Sequence, residues 1–149
     1  MPAPAPFIAQ VFVRGGRAFL PEFAFTDAGM YWPHGPVHEV DLSPDALVRK
    51  IDELIAKGHP SISHPQRSEL DKSTTIQKAL RVRSWKKMAR QGIILFVLYR
   101  RGGHVYLARS PQGTDDVQRV DYGNAKSYPD GTSTEEIVGA ILQELQSGA

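Results

Sequence analysis

The chain repeats one small pattern, and that repetition limits what it can fold into. VFVRGGRAFL, from Val11 to Leu20, returns as LYRRGGHVYL, from Leu98 to Leu107, an offset of 87 residues. Each copy reads as a strand, a Gly-Gly turn and a second strand, since tight hairpin turns need a positive φ that glycine adopts without steric cost. Each is followed by a polar stretch and one amphipathic helix. The first helix starts at Ser43 and stops at Gly58, and the second starts at Ser133 and stops at Gly148, an offset of 90. Positions 47, 48, 51 and 55 map onto 137, 138, 141 and 145, and all eight are Leu, Ile or Val.

Local signals place the remaining elements. Ser43-Pro44 is a cap followed by a proline at the first helical position, where its missing N–H costs nothing. Ser133 and Glu136 have the spacing of a capping box. Residues 26–36, with Asp27, Gly29, Pro33, Gly35 and Pro36, read as a loop, and Val37 to Val40 as a short third strand. Ser84 to Gln91 reads as a short helix with Trp85, Met88 and Ala89 on its apolar side. Ile76 to Val82 fits neither period cleanly. Ile93 to Tyr99 is β-branched and aromatic throughout, the composition of a central strand buried on both faces. One further strand is expected near Val117 to Val120. Together these give an α+β fold of two hairpin-plus-helix repeats packed into a single domain over residues 1–149. Repeat one spans about 7–58, a linker 59–75, and repeat two about 84–148.

Composition narrows the function classes. The chain has 149 residues and no cysteine, which excludes disulfides, thiolate zinc sites and thiol catalysis. The start MPAPAPFIAQ lacks a basic segment and a long apolar run, so no signal peptide is expected, and its alternating prolines point to an extended lead-in. No stretch reaches the roughly 18 consecutive apolar residues of a membrane span. A soluble cytoplasmic protein is the expectation.

The five histidines do not form a metal-binding pattern. His34 and His38 are separated by Gly35-Pro36, His59 and His64 sit among prolines, and His104 stands beside a turn. Zinc normally takes three or four convergent ligands. No catalytic or phosphate-binding motif is present either, so the expectation is a non-enzyme with no metal and no cofactor.

The charge is unevenly distributed. Residues 72–109 carry ten Lys and Arg and no acid, which leaves the rest of the chain at −8 for a net charge of +2. Within this window, Lys78 to Arg90 interleaves six cations with Trp85. Cations neutralise phosphates and aromatics stack on bases, so a nucleic-acid-binding or regulatory role for residues 78–101 is the alternative function.

Ser84-Trp85-Lys86-Lys87, followed by a short helix, an apolar strand, a glycine turn and a second strand, resembles the immunity proteins of contact-dependent growth inhibition systems. The resemblance covers about residues 76–148. It takes in the aromatic, acidic segment at Asp121-Tyr122 and the terminal helix from Ser133 to Gly148. It implies a cytoplasmic, non-enzymatic protein that binds and neutralises the cognate C-terminal toxin domain, commonly a nuclease, of a secreted effector. Candidate contacts are Asp115, Asp116, Asp121 and Tyr122 in the second repeat, and Asp27, Tyr31, Trp32 and Glu39 in the first, because aromatics flanked by acids make interface anchors. The basic face offers Arg83, Lys87 and Arg90 to an acidic toxin instead. This chain is mildly basic, with a pI near 9.0, whereas inhibitors that imitate a phosphate backbone are often acidic.

Overall fold

The two repeats join edge to edge in one sheet. The computed structural model describes residues 7–66 and 74–147. Repeat one supplies β1 (Ile8–Arg14), β2 (Arg17–Thr26), β3 (Tyr31–Asp41) and α1 (Pro44–Lys57). The connection contains β4 (Ser61–Ile62), α2 (Thr75–Leu80) and α3 (Trp85–Arg90). Repeat two supplies β5 (Ile94–Arg101), β6 (His104–Arg109), a 3-10 turn (Tyr122–Asn124), β7 (Lys126–Pro129) and α4 (Thr134–Ser147). The antiparallel order is β3-β2-β1-β5-β6-β7, and β4 adds a short parallel pairing to the end of β2.

This order is symmetric about its centre. β1 pairs with β5, and Gln10 stands opposite Val97. These two positions are also 87 residues apart, the offset between the repeated hairpins. A pseudo-twofold axis therefore passes between them, and the chain is folded as an internal dimer.

Alternation on the two central strands divides the core. Ala9, Val11 and Val13 of β1 and Phe96 and Leu98 of β5 face α1 and α4, whose Leu47, Ile51, Ile137, Val138 and Ile141 are fully or almost fully buried. Phe12, Leu95 and Val97 face the other way, into a second cluster with Ile76, Leu80, Met88 and Val117. β5 is buried on both faces, as its composition requires. The helix starts also follow the sequence: Ser43 Oγ accepts the Ala46 N–H at 3.4 Å, and Ser133 Oγ accepts the Glu136 N–H at 3.2 Å. Gly58 closes α1 with φ of 73°.

Several expectations need correction. The stretch 26–36 is mostly not loop: the turn is confined to a few residues after Thr26, and β3 runs from Tyr31 to Asp41. Its prolines are tolerated because β3 is an edge strand, where a missing N–H breaks no outer ladder bond. There is no strand at Val117 to Val120. Val117 is completely buried as a plug in the second cluster, and the strand lies at Lys126–Pro129 instead. The β-branched pattern there reflected burial rather than pairing. The stretch from Ile76 becomes the helix α2, and the expected linker contains β4. Residues 1–6, 67–73 and Gly148, which belong to the expected lead-in, linker and helix stop, lie outside the described residues.

One histidine completes the sheet. β1 and β2 pair from Arg14 opposite Arg17 to Phe12 opposite Phe19. Continued at that register, Ile8 would oppose Phe23. Instead the Ile8 N–H donates to Nε2 of His59 at 3.1 Å, and Nδ1 of the same ring lies 3.0 Å from the Phe23 carbonyl. Because Nε2 accepts, Nδ1 carries the proton and donates. The imidazole thus replaces ladder bonds where the two strands part. His59→Ala leaves both partly buried backbone groups without a partner and should lower stability by about 2 kcal/mol in urea unfolding. His59→Gln, which can both accept and donate, should recover part of the loss, and an Ala variant with an unchanged midpoint would show that the clip contributes nothing.

Candidate functional site

Among the described residues, the densest unpaired charge lies on and between α2 and α3, which cover the second core cluster. Both helices are short, so their ends are held by side chains. Thr74 Oγ1 accepts the Gln77 N–H at 3.2 Å, and Gln77 Oε1 accepts the Thr74 N–H at 2.8 Å, a reciprocal capping box. Ser84 Oγ accepts the Lys87 N–H at 3.2 Å at the start of α3. At the other end of α2, Arg14 donates to the Leu80 carbonyl at 2.7 Å, with its guanidinium 5.2 Å from the centre of the Phe19 ring. Ile76, Leu80, Val82 and Met88 point into the sheet, and Trp85 stacks on Phe12 with ring centres 6.3 Å apart. With the apolar positions used inward, Lys78, Arg81, Arg83, Lys86, Lys87 and Arg90 are all exposed. None of the six side chains has an ion-pair partner among the described residues.

The acidic candidates are already engaged, in the second repeat within their own loop and in the first with the neighbouring strand or connection. Asp115 pairs with Arg119 at 3.2 Å. Asp116 accepts the Gln118 N–H at 2.9 Å, and Asp121 accepts from the Asn124 amide at 2.7 Å. In the first repeat, Asp27 accepts the His64 N–H at 2.9 Å, and Glu39 pairs with Arg17 at 2.9 Å. Arg17 also pairs with Asp41. These acids build turns and brace the edge of the sheet.

The aromatic candidates separate. Tyr122 is 53% exposed and sits edge-on to Tyr99 at 5.8 Å. Burial, helped by neighbouring Tyr99, raises the Tyr122 pKa above the usual phenol value. Tyr31 packs edge-on against Phe25 and His59, and burial raises its pKa as well. Trp32 stands opposite Ala24 on the edge strand. Tyr31 borders a cleft of about 270 Å³ with Phe7, Phe25, Ile55, His59 and Arg100, but both ring nitrogens of His59 are already bonded to the sheet backbone. The structure therefore brings 115–122 together as one segment and spreads Asp27, Tyr31, Trp32 and Glu39 along the β2–β3 hairpin. Among the described residues, no three His, Asp or Glu side chains converge as metal ligands, and no helix is long and apolar enough to cross a membrane.

Sequence reasoning missed Glu22. It sits at the irregularity between Pro21 and Phe23 in β2, and its side chain is only 12% exposed. The available signal was a lone acid in the apolar run LPEFAF. Its carboxylate is held by Lys57 at 2.5 Å and His38 at 2.7 Å. Burial alone would raise its pKa, but the hydrogen bonds and charges of Lys57 and His38 outweigh that and lower it. A carboxylate held as an anion between two donors is a weak base and a structural clamp. Because the folded pKa lies below the unfolded one, its contribution is full above the ordinary value of 4.5 and fades as pH falls through the depressed folded pKa. Glu22→Gln should therefore cost about 1–2 kcal/mol at neutral pH, with the gap to the parent protein narrowing in unfolding curves below that value. A gap that widens on acidification would contradict this.

Comparison with known proteins supports the fold. No family model matches the chain, and no curated protein matches it. A solved structure, a protein of unknown function designated NMB0488 from Neisseria meningitidis, has a similar fold, with a TM-score of 0.62 at 12% sequence identity over 99% of this chain and 98% of that one. At that identity the likeness establishes the α+β architecture along the whole chain.

Proposed function

We propose that this protein is an immunity protein that binds the C-terminal toxin domain of a contact-dependent growth inhibition effector in the cytoplasm, and that the basic cap formed by α2 and α3 makes first contact. The observation that carries this reading is the contrast in charge: six exposed cations without a counter-charge among the described residues, beside acids that already have local partners. Like charges held this close repel one another, and an acidic partner surface relieves that repulsion. Charge of this kind chiefly speeds encounter and enforces specificity. The resemblance at Ser84-Trp85-Lys86-Lys87 falls on the same element and supplies the class of partner. The favoured contacts are accordingly Arg83, Lys87 and Arg90 with their neighbours, rather than the carboxylates of 115–121.

The test is co-expression with the toxin domain encoded beside this gene. The parent protein should restore growth and co-purify with that domain. The triple variant Lys86→Glu, Lys87→Glu, Arg90→Glu changes only exposed positions, so it should keep its unfolding midpoint. It should bind about tenfold more weakly or worse, mainly through a slower on-rate, with a reduced dependence on salt. Cells that die despite co-expression would end the reading. Tight binding to RNA or DNA with a steep salt dependence would shift the assignment to a nucleic-acid-binding domain.

A further inference from the structure

The internal symmetry exposes a difference between the two halves. At the offset of 87, Phe12, Arg14, Arg17 and Phe19 correspond to Tyr99, Arg101, His104 and Tyr106. The correspondence holds in space as well. Phe12 stands opposite Phe19 and Arg14 opposite Arg17 in the first hairpin, and Tyr99 stands opposite Tyr106 and Arg101 opposite His104 in the second. Both aromatic pairs lie on the same side of the sheet, the side away from α1 and α4.

In the first half this surface is occupied by the chain itself. Trp85 stacks on Phe12, Ile76 and Leu80 pack in the same cluster, and Arg14 holds the last carbonyl of α2 while lying over Phe19. Phe12 and Phe19 are consequently 1% and 4% exposed. In the second half no α-helix among the described residues takes this place. Tyr99 and Tyr106, stacked with centres 5.2 Å apart, are only partly buried, and Tyr122 touches Tyr99 from one side. Arg101 and His104 are exposed on the rim, and the Arg101 guanidinium has no partner among the described residues. Tyrosine in place of phenylalanine suits a surface that is wet when free and covered when bound.

We propose that the Tyr99–Tyr106 face is a docking surface for a helical segment of a partner protein, seated there as the chain's own segment Thr75–Trp85 is seated on the first half. The proposal rests on reading this chain as a protein-binding module and names a second contact surface for it. The template fixes the chemistry of the occupant. It has two aliphatic residues four apart, as Ile76 and Leu80 are, and an aromatic five residues further on, as Trp85 is. The end of its helix offers carbonyls to Arg101, as Leu80 does to Arg14. Acidic residues flank it, because Arg101 gives the rim a positive charge and the basic cap lies on the same side of the sheet.

The probe is a synthetic peptide with the spacing of Ile76, Leu80 and Trp85 and with glutamate at the positions of Lys78, Arg81 and Arg83, titrated into the full chain and followed by tryptophan fluorescence. Saturable binding is expected below about 1 mM, weakened about tenfold by Arg101→Glu and by Tyr106→Ser, and left intact by Arg49→Glu, an exposed position of α1 on the other side of the sheet. No binding at that concentration, or undiminished binding by both Arg101→Glu and Tyr106→Ser, overturns the proposal. The same variants are then measured against the toxin domain. A complex that forms but ignores Arg101→Glu and Tyr106→Ser overturns the docking surface and leaves the proposed function standing. Peptide binding at the Tyr99–Tyr106 face without a toxin complex does the reverse.

Discussion

The antiparallel pairing of β1 with β5 is the contact on which the rest of the molecule depends. Each repeat taken alone is a three-stranded sheet with one helix, and its most apolar strand lies on an edge. Such an edge carries a row of unpaired backbone groups beside side chains that need burial on both faces. Pairing the two edges satisfies both demands together. It also brings α1 and α4 side by side over a single core, where Leu47, Ile51 and Ile141 are completely buried, and the Thr134 hydroxyl reaches Asp52 across the helix pair. Because the pairing is centred on equivalent residues, the outer strands fall into mirrored order without further instruction.

The symmetry covers one face completely and the other only in part. The helices of the two repeats cover the first face equally. The second face is covered mainly by the connecting segment, which lies over the first repeat and the centre. The long loop of repeat two closes some of the gap with Val117, Val120 and Tyr122. What remains is a tyrosine surface with a basic rim, next to two helices whose charges all have one sign. A helix that buries Ile76, Leu80 and Met88 inward must place its other residues outward, and here those residues are lysine and arginine. The electrostatic character of this side is thus a direct result of how its core is packed.

The arrangement of charges gives the candidate site its polarity. Acids close together in sequence, such as Asp115, Asp116 and Asp121, looked like a ready surface for mimicry of a phosphate backbone. In the fold each satisfies a turn or pairs with a nearby cation. The cations at 78–90 have no such partners among the described residues, because the segment 72–109 that carries them contains no acid. Glu22 behaves differently again: at an irregular point of β2 it is shielded from water, and Lys57 and His38 hold it ionised.

The sequence alone determined the repeated hairpins, the two capped helices with their buried faces, the short helix at Trp85 and the central position of β5. All of these are written in local periodicity, caps and glycine turns, where neighbours in the chain set the conformation. Tertiary structure decided the rest. Pro33 and Pro36 look like loop residues until β3 is seen to be an edge strand, and Val117 looks like a strand residue until it is seen filling a hole. That His59 joins β1 to β2, that Arg14 ends α2 and that Glu22 meets Lys57 all depend on contacts between residues far apart in the chain. Local pattern fixes which face of an element is apolar, but only packing decides what that face meets, and so which charges and aromatics are left facing water.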